Sequence, residues 1–307
     1  MSREQLGKNL VDGAYIPNLL VGTLALVGGG NTYYVNNILG KSTNTGLDPT
    51  LPMDQVNTAI TASEAYRLSQ SNIYLRNKIM VVGTGTAYSP ITSMPNYTDI
   101  VGIGATPWGD GTGIVIIGAS SGGPSNGGNT SSRGCTWTNI QFQTGGNYYA
   151  LEVSQLLRSE FSRCCFRTSG AASYGGIHIT GNSGGNWIHD CRIEGDSGIP
   201  VTGITIASGV TFNDGIIEYC VIGGTTNGLA NASGDDTGTI WRYNYFGAVT
   251  GTCAVPVADT GANGLSIYYA NYSTGQATWT MTNNPGRALD NHQMTLPTTP
   301  VKIYAGT

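Results

Sequence analysis

Two interleaved repeats constrain this chain more than any other feature. Five segments align on one six-residue pattern: WTNIQF from Trp137, FSRCCF from Phe161, IHDCRI from Ile188, IEYCVI from Ile217 and WRYNYF from Trp241, with starts 24, 27, 29 and 24 residues apart. A second series, ALEV, GIHI, GITI and GLAN, is anchored at Leu151, Ile177, Ile204 and Leu229, with a fifth member expected at Val255. Two series sharing a period of about 25 residues are the mark of a solenoid that carries several short strands per coil. A β-propeller blade needs about 40 residues, and a leucine-rich repeat shows its own Leu and Asn consensus; neither is present. The sequence therefore predicts an all-β chain folded as a parallel β-helix. With coils about 4.8 Å apart, roughly eight coils between residues 76 and 275 give a rod about 40 Å long.

The rest of the chain fits around that body. Glycine is 46 of 307 residues but follows no Gly-X-Y period, which excludes collagen and favours short strands ended by tight turns. NKIMVVG, YTDIVGIG and GTGIVIIG, each closed by glycine, read as strands buried in a parallel stack. Ahead of them a strand over Thr32–Val35 leads to Pro52 and Asp54, which suit a helix start, and Val56, Ala59 and Ile60 recur at helical spacing. We expect one amphipathic helix over 53–69 that covers the open end of the first coil. The expected divisions are 1–30 as an attachment or assembly segment, 31–75 as strand and capping helix, 76–275 as the β-helix, and 276–307 as a non-repeating tail.

Composition excludes several functions. Net charge is −4, and no lysine lies between Lys78 and Lys302, so no basic face is available for nucleic acid. The apolar run from Leu19 is too short and glycine-broken to span a bilayer, and it lies too far from a basic segment for a secretory leader; the expectation is a chain that starts at Met1. The six cysteines form no CxxC pair, and adjacent Cys164 and Cys165 would point to opposite faces of a strand, so no metal or other cofactor is expected.

Aligning the coils turns the sequence into columns. Cys164, Cys191 and Cys220 share one column between Ile140 and Asn244, read as an interior stack in which Asn244 needs its amide satisfied. Arg163 falls beside Asp190, Arg167 beside Glu194, and His189, Glu218 and Arg242 succeed one another, a ladder of opposite charges worth roughly 0.2–1 kcal/mol per pair. In the second series Glu152 stands beside His178, read as an exposed ion pair. Ile188, Cys191 and Ile193 of the charged stretch IHDCRIEGDSG cannot all face inward on a straight strand, so a bend is expected within it. The pair Asp235 and Asp236 in SGDDTG reads as a solvated turn.

YYVNNILGKSTNTGLDP followed by the helix, then IMVVGTGTAYSPI and YTDIVGIGATPWGDGTGIVIIG, resembles the entry of pectin-lyase-like right-handed β-helix proteins, over about residues 31–250. That superfamily includes polysaccharide lyases, polygalacturonases, phage tailspikes and non-catalytic virion proteins, so the resemblance implies the right-handed fold more than any activity. The glycine-rich, lysine-poor coils look most like a phage structural protein. The resemblance implies a virion location, with partners among other virion proteins and copies of itself, a homotrimer among spike proteins. The alternative is a polysaccharide-degrading enzyme of the tailspike type, a glycosidase or lyase.

Glycosidic cleavage needs two carboxyls flanking the bond, for which Asp190, Asp214 and Glu218 are the candidates. A lyase of the resembled kind wants an arginine base, for which Arg192 and Arg242 are available. The polygalacturonase pattern of NTD, DD and GHG is not present as such, and we expect a structural charge ladder here, not a catalytic centre. For glycan contact the candidates are Tyr148, Tyr149, Tyr268 and Tyr269, since tyrosines on a rigid wall stack on sugars or fill a subunit interface.

Overall fold

In the computed structural model the described residues are 29–70, 74–108, 112–118, 126–129, 131–145, 147–169, 174–195, 201–232, 236–247, 253–261, 265–275, 279–282, 288–295 and 299–303. The expected N-terminal segment lies outside them except for its last two residues. The chain is an all-β parallel solenoid with one helix among the described residues, Val56–Ser69. Sheet I stacks ten strands in chain order from Gly29–Val35 to Ala288–Leu289. Sheet II has nine, running from Ile116–Gly118 to Asn291–Thr295 and ending on Thr299–Ile303. Sheet III stacks six from Leu151–Val153 to Thr280–Met281, and sheet IV stacks four from Ser131–Arg133 to Phe212–Asn213.

The alignment read from sequence is the register of sheet I. Trp137 pairs Phe161, Phe161 pairs Ile188, Ile188 pairs Ile217 and Ile217 pairs Trp241. In sheet III Leu151, Ile177, Ile204 and Leu229 pair in turn, but the fifth member is Val257, not Val255, which pairs Asn227. A two-residue slip keeps the same face of the strand, which is why alternation alone could not detect it.

The bend in IHDCRI is a left-handed residue. Asp190 has φ +52°, and its column partners Asn139, Arg163, Tyr219, Tyr243, Ala270 and Asp290 lie between +50° and +59°. Turning the chain at that one position ends sheet I, starts sheet II and lets Ile188, Cys191 and Ile193 all face the interior, each at most 2% exposed. Large inward side chains then stack from coil to coil. Trp137 and Phe161 are 6.2 Å apart at 5°, Phe142 and Phe166 5.3 Å at 5°, and Trp241 and Tyr268 6.2 Å at 8°.

Behind the bend runs a polar ladder. Cys164, Cys191 and Cys220 are buried and successive, and the column continues as Asn244, Asn271 and Asn291. Each asparagine amide donates to a carbonyl of an earlier coil: Asn244 to Ile217 at 2.8 Å, Asn271 to Trp241 at 2.8 Å and Asn291 to Tyr268 at 3.0 Å. Their side-chain oxygens accept from the backbone N–H of Cys220, Asn244 and Asn271. The thiols make the weaker version, Cys164 Sγ donating to Trp137 O at 3.4 Å and Cys191 Sγ to Phe161 O at 3.5 Å.

Two expected boundaries change. The helix begins at Val56 with Gln55 at its cap and no side-chain cap bond, because Met53 is still extended, its N–H donating to Tyr34 O and its carbonyl accepting from Asn36. The helix buries Val56, Ala59 and Ile60 in the same core as Tyr33, Val35 and Ile79, packing on the first strands as expected of a cap. The coils also continue past residue 275. Tyr268 pairs Ala288, Ser273 pairs Gln293 and Asp259 pairs Met281 in parallel before Thr299–Ile303 closes sheet II antiparallel.

Candidate functional site

Of the four catalytic candidates, Glu218 and Arg242 lie on strands of sheet I, while Asp190 and Asp214 lie at the two corners that bound it. Asp190 stands at the corner between sheets I and II, Asp214 at the corner between sheets IV and I with φ +54°, and Glu218 on the outer face of sheet I between those corners. Glu218 is 5% exposed and both its oxygens are occupied: Trp187 Nε1 donates to Oε1 at 2.9 Å and Arg242 Nε donates to Oε2 at 2.6 Å. The hydrogen bond to Glu218 pushes the Arg242 guanidinium pKa further above its ordinary value, away from the neutral form a base would need.

Asp190 departs from the expected ladder. It meets His189 of its own coil, Oδ2 to Nδ1 at 2.8 Å, while the Arg163 backbone N–H donates to His189 O. The reason is the left-handed corner, which turns the third-column side chains away from the sheet rungs that would align them. His189 Nε2 faces Glu160 Oε1 at 3.1 Å, and its ring stacks on Trp187 at 4.1 Å. Both contacts are hydrogen bonds together only when both ring nitrogens carry protons. Arg167 and Glu194 are rung partners as expected, yet Glu194 forms its ion pair with Arg192, at 3.1 Å in its own coil.

The tyrosines divide. Tyr148 is exposed, and Tyr149 is half-buried with its ring 4.3 Å from that of His178, which in turn meets Glu152 at 3.0 Å across adjacent coils. Burial raises the Tyr149 pKa. Tyr268 is not a surface residue: it is fully buried between Trp241 and Trp279, and its hydroxyl donates to Asp259 at 3.0 Å. The register explains the correction, since IYYANY stacks on IWRYNY and puts Tyr268 beneath Trp241 in the inward column. Tyr269 stays outside, edge-on to Tyr243, which stacks on Tyr219 at 5.2 Å and 12°. Asp236 also reverses its expectation: it is buried and accepts from the Ser266 hydroxyl, while Asp235 lies outside the described residues.

A concavity that the sequence reading did not anticipate lies at the corner between sheets IV and I. It has a volume of ≈ 390 Å³ and is lined by Tyr74, Tyr97, Arg133, Leu157, Arg158 and Asp214 over a floor of Gly184 and Gly185. On six successive coils this corner column reads Tyr97, Gly134, Arg158, Gly185, Asp214 and Gly238, all left-handed at +48° to +74°. Each side chain lies over the glycine that follows it. A Cβ on Gly134 would sit 2.8 Å from the Tyr97 ring, one on Gly185 3.4 Å from Arg158 Cγ, and one on Gly238 2.6 Å from Asp214 Oδ1. Alternation of a long residue with glycine at one column was the signal available in the sequence.

Among the described residues no three His, Cys, Asp or Glu side chains are grouped to hold a metal ion, and no helix is long and apolar enough to cross a membrane. The site and fold together define a parallel β-solenoid with outward charge and aromatic columns. No protein-family model matches the chain, and no curated protein sequence matches it. Two solved structures of the GH136 lacto-N-biosidase from Eubacterium ramulus, a selenomethionine derivative and the native protein, are similar to it with TM-scores of 0.36 and 0.35. Identity is 10% and 11%, over 87% and 90% of this chain and 68% and 70% of that chain. A likeness at that level carries no argument about activity.

Proposed function

We propose that this chain is a non-enzymatic structural component of a bacteriophage particle, a rigid rod of the decoration, fibre or spike kind that assembles with copies of itself and other virion proteins and contacts host glycans through its outer columns. The observation that carries the non-enzymatic reading is Glu218, whose two oxygens are held by Trp187 and Arg242 from neighbouring coils. A general acid or base needs an oxygen free to meet substrate. The continuous amide ladder and the antiparallel strand Thr299–Ile303 that closes sheet II further support a load-bearing body.

The test is a polysaccharide assay. The full chain is incubated with host capsular and surface polysaccharides, and new reducing ends and unsaturated products are counted against a Glu218→Gln variant. The proposal expects no release from either protein. Release by the parent chain that the variant lacks would instead establish the polysaccharide-degrading alternative.

A further inference from the structure

The corner cleft between sheets IV and I carries two guanidinium groups with no side-chain partner among the described residues. Arg133 and Arg158 are both exposed, and they stand on adjacent coils, since Arg133 is the rung partner of Leu157. The third arginine nearby, Arg76, is already engaged by Asp99, Thr136 and the carbonyl of Gly134. Arg133 and Arg158 both line the cleft, and two like charges held on adjacent coils repel until an anion sits between them. An aromatic wall borders them: Tyr74 and Tyr97 lie edge to face at 5.5 Å, and Tyr74 is 68% exposed.

Tyr97, Arg158 and Asp214 occupy left-handed positions where Gly134, Gly185 and Gly238 serve on alternate coils. A non-glycine residue there costs roughly 1–2 kcal/mol, so these side chains stand where glycine folds more easily. Asp214 stands two coils beyond Arg158, a backbone separation of about 10 Å, and lines the same cleft. Against its one carboxylate the two arginines leave the cleft lining with a net positive charge, and its oxygens can accept from sugar hydroxyl groups.

We propose that this cleft binds an anionic saccharide: a pyranose ring carrying a carboxylate or phosphate, its charge between Arg133 and Arg158 and its ring against Tyr74 and Tyr97. Arginine supplies the fork geometry that carboxylates and phosphates accept, and tyrosine supplies a flat apolar face with a polar edge. A volume of ≈ 390 Å³ suits a sugar unit or two and falls within the usual range for small-ligand pockets. This rests on the glycan-contact part of the proposed function and assigns it a place and a charge class.

The experiment is calorimetric titration of the full chain with three tetrasaccharides of equal length, one containing glucuronate, one phosphorylated and one neutral. The expected result is binding of at least one anionic probe at least tenfold tighter than the neutral one. The double variant R133Q/R158Q should weaken it at least tenfold. Tyr97→Gly suits φ +48° and should weaken binding without lowering Tm, which separates the ring's contact from a folding role. Arg163→Gln, exposed at the opposite corner, should change nothing. Equal binding of all three probes, no binding of any, or an R133Q/R158Q protein that binds as before would overturn the site. Incorporation into particles is scored separately: binding without incorporation overturns the phage reading alone, and incorporation without binding overturns this site alone.

Discussion

Arg242 Nε donates to Oε2 of Glu218 on the preceding coil at 2.6 Å, while Trp187 on the coil before that fills Oε1 at 2.9 Å. Three coils are thus tied through one carboxylate that is almost wholly buried. Arg242→Ala leaves a buried acceptor unpaired and should cost about 1–3 kcal/mol, and Trp187→Phe about 0.5–1.5 kcal/mol. Chemical denaturation measures both. A loss for Arg242→Ala of less than about 0.5 kcal/mol would mark the pair as an incidental surface contact.

Removing one amide of the buried ladder should cost more. Asn271→Ala leaves the Trp241 carbonyl and the Asn244 N–H without their partner, so the expected loss is about 2–4 kcal/mol. The half-buried Asn37, whose amide donates to the Thr86 and Ala87 carbonyls near the surface, is the comparison, and Asn37→Ala should cost about 1 kcal/mol. Equal losses at the two positions would show that the ladder adds nothing beyond ordinary hydrogen bonding.

Ala270 sits left-handed at φ +50° in the corner column. Ala270→Gly should raise stability by about 0.5–1 kcal/mol, whereas Ala258→Gly, inside the strand Val255–Asp259, should lower it by a similar amount. Thermal unfolding of the two variants tests the corner directly, because the same substitution is expected to change sign.

All six cysteines are buried, and burial pushes Cys135 and Cys253 up to about 11. A native-state thiol titration at pH 8 should therefore label none of the six rapidly. These two thiols are neutral when folded and ionise more readily when unfolded. Their contribution is fully present below the ordinary thiol pKa of 9.0 and is lost as pH rises through about 11. Stability measured from pH 8 to 11 should fall over that window, and substituting Ala for both should flatten the part of the fall they cause.

Much of the solenoid was legible because inward columns repeat chemically. Trp137, Phe161, Ile188, Ile217 and Trp241 are all large and apolar, and the mixed inward spacing of Ile188, Cys191 and Ile193 required a bend, which Asp190 makes. The final coil escaped notice because Ala288 is small and Gln293 polar where earlier coils place large apolar groups; the surviving signal was Asn271 and Asn291 continuing the column of Asn244. Tyr268 and Asp236 depart from expectation because residue type suggests surface, while stacking on Trp241 and the bond from Ser266 bury them. Of the candidate carboxylates Glu218 meets its expected neighbour Arg242, whereas Asp190 pairs within its own coil, because a left-handed corner redirects its side chain. The cleft was missed because its arginines come from two coils and become neighbours only when Arg133 and Leu157 are set side by side.

The measurement that bears most directly on the central claim is quantitative analysis of purified phage particles for this chain. As a structural component of the particle, the chain should be present at a fixed copy number that stays with the particles through density-gradient purification. Absence from intact particles, with the chain found free in the lysate, would contradict that claim.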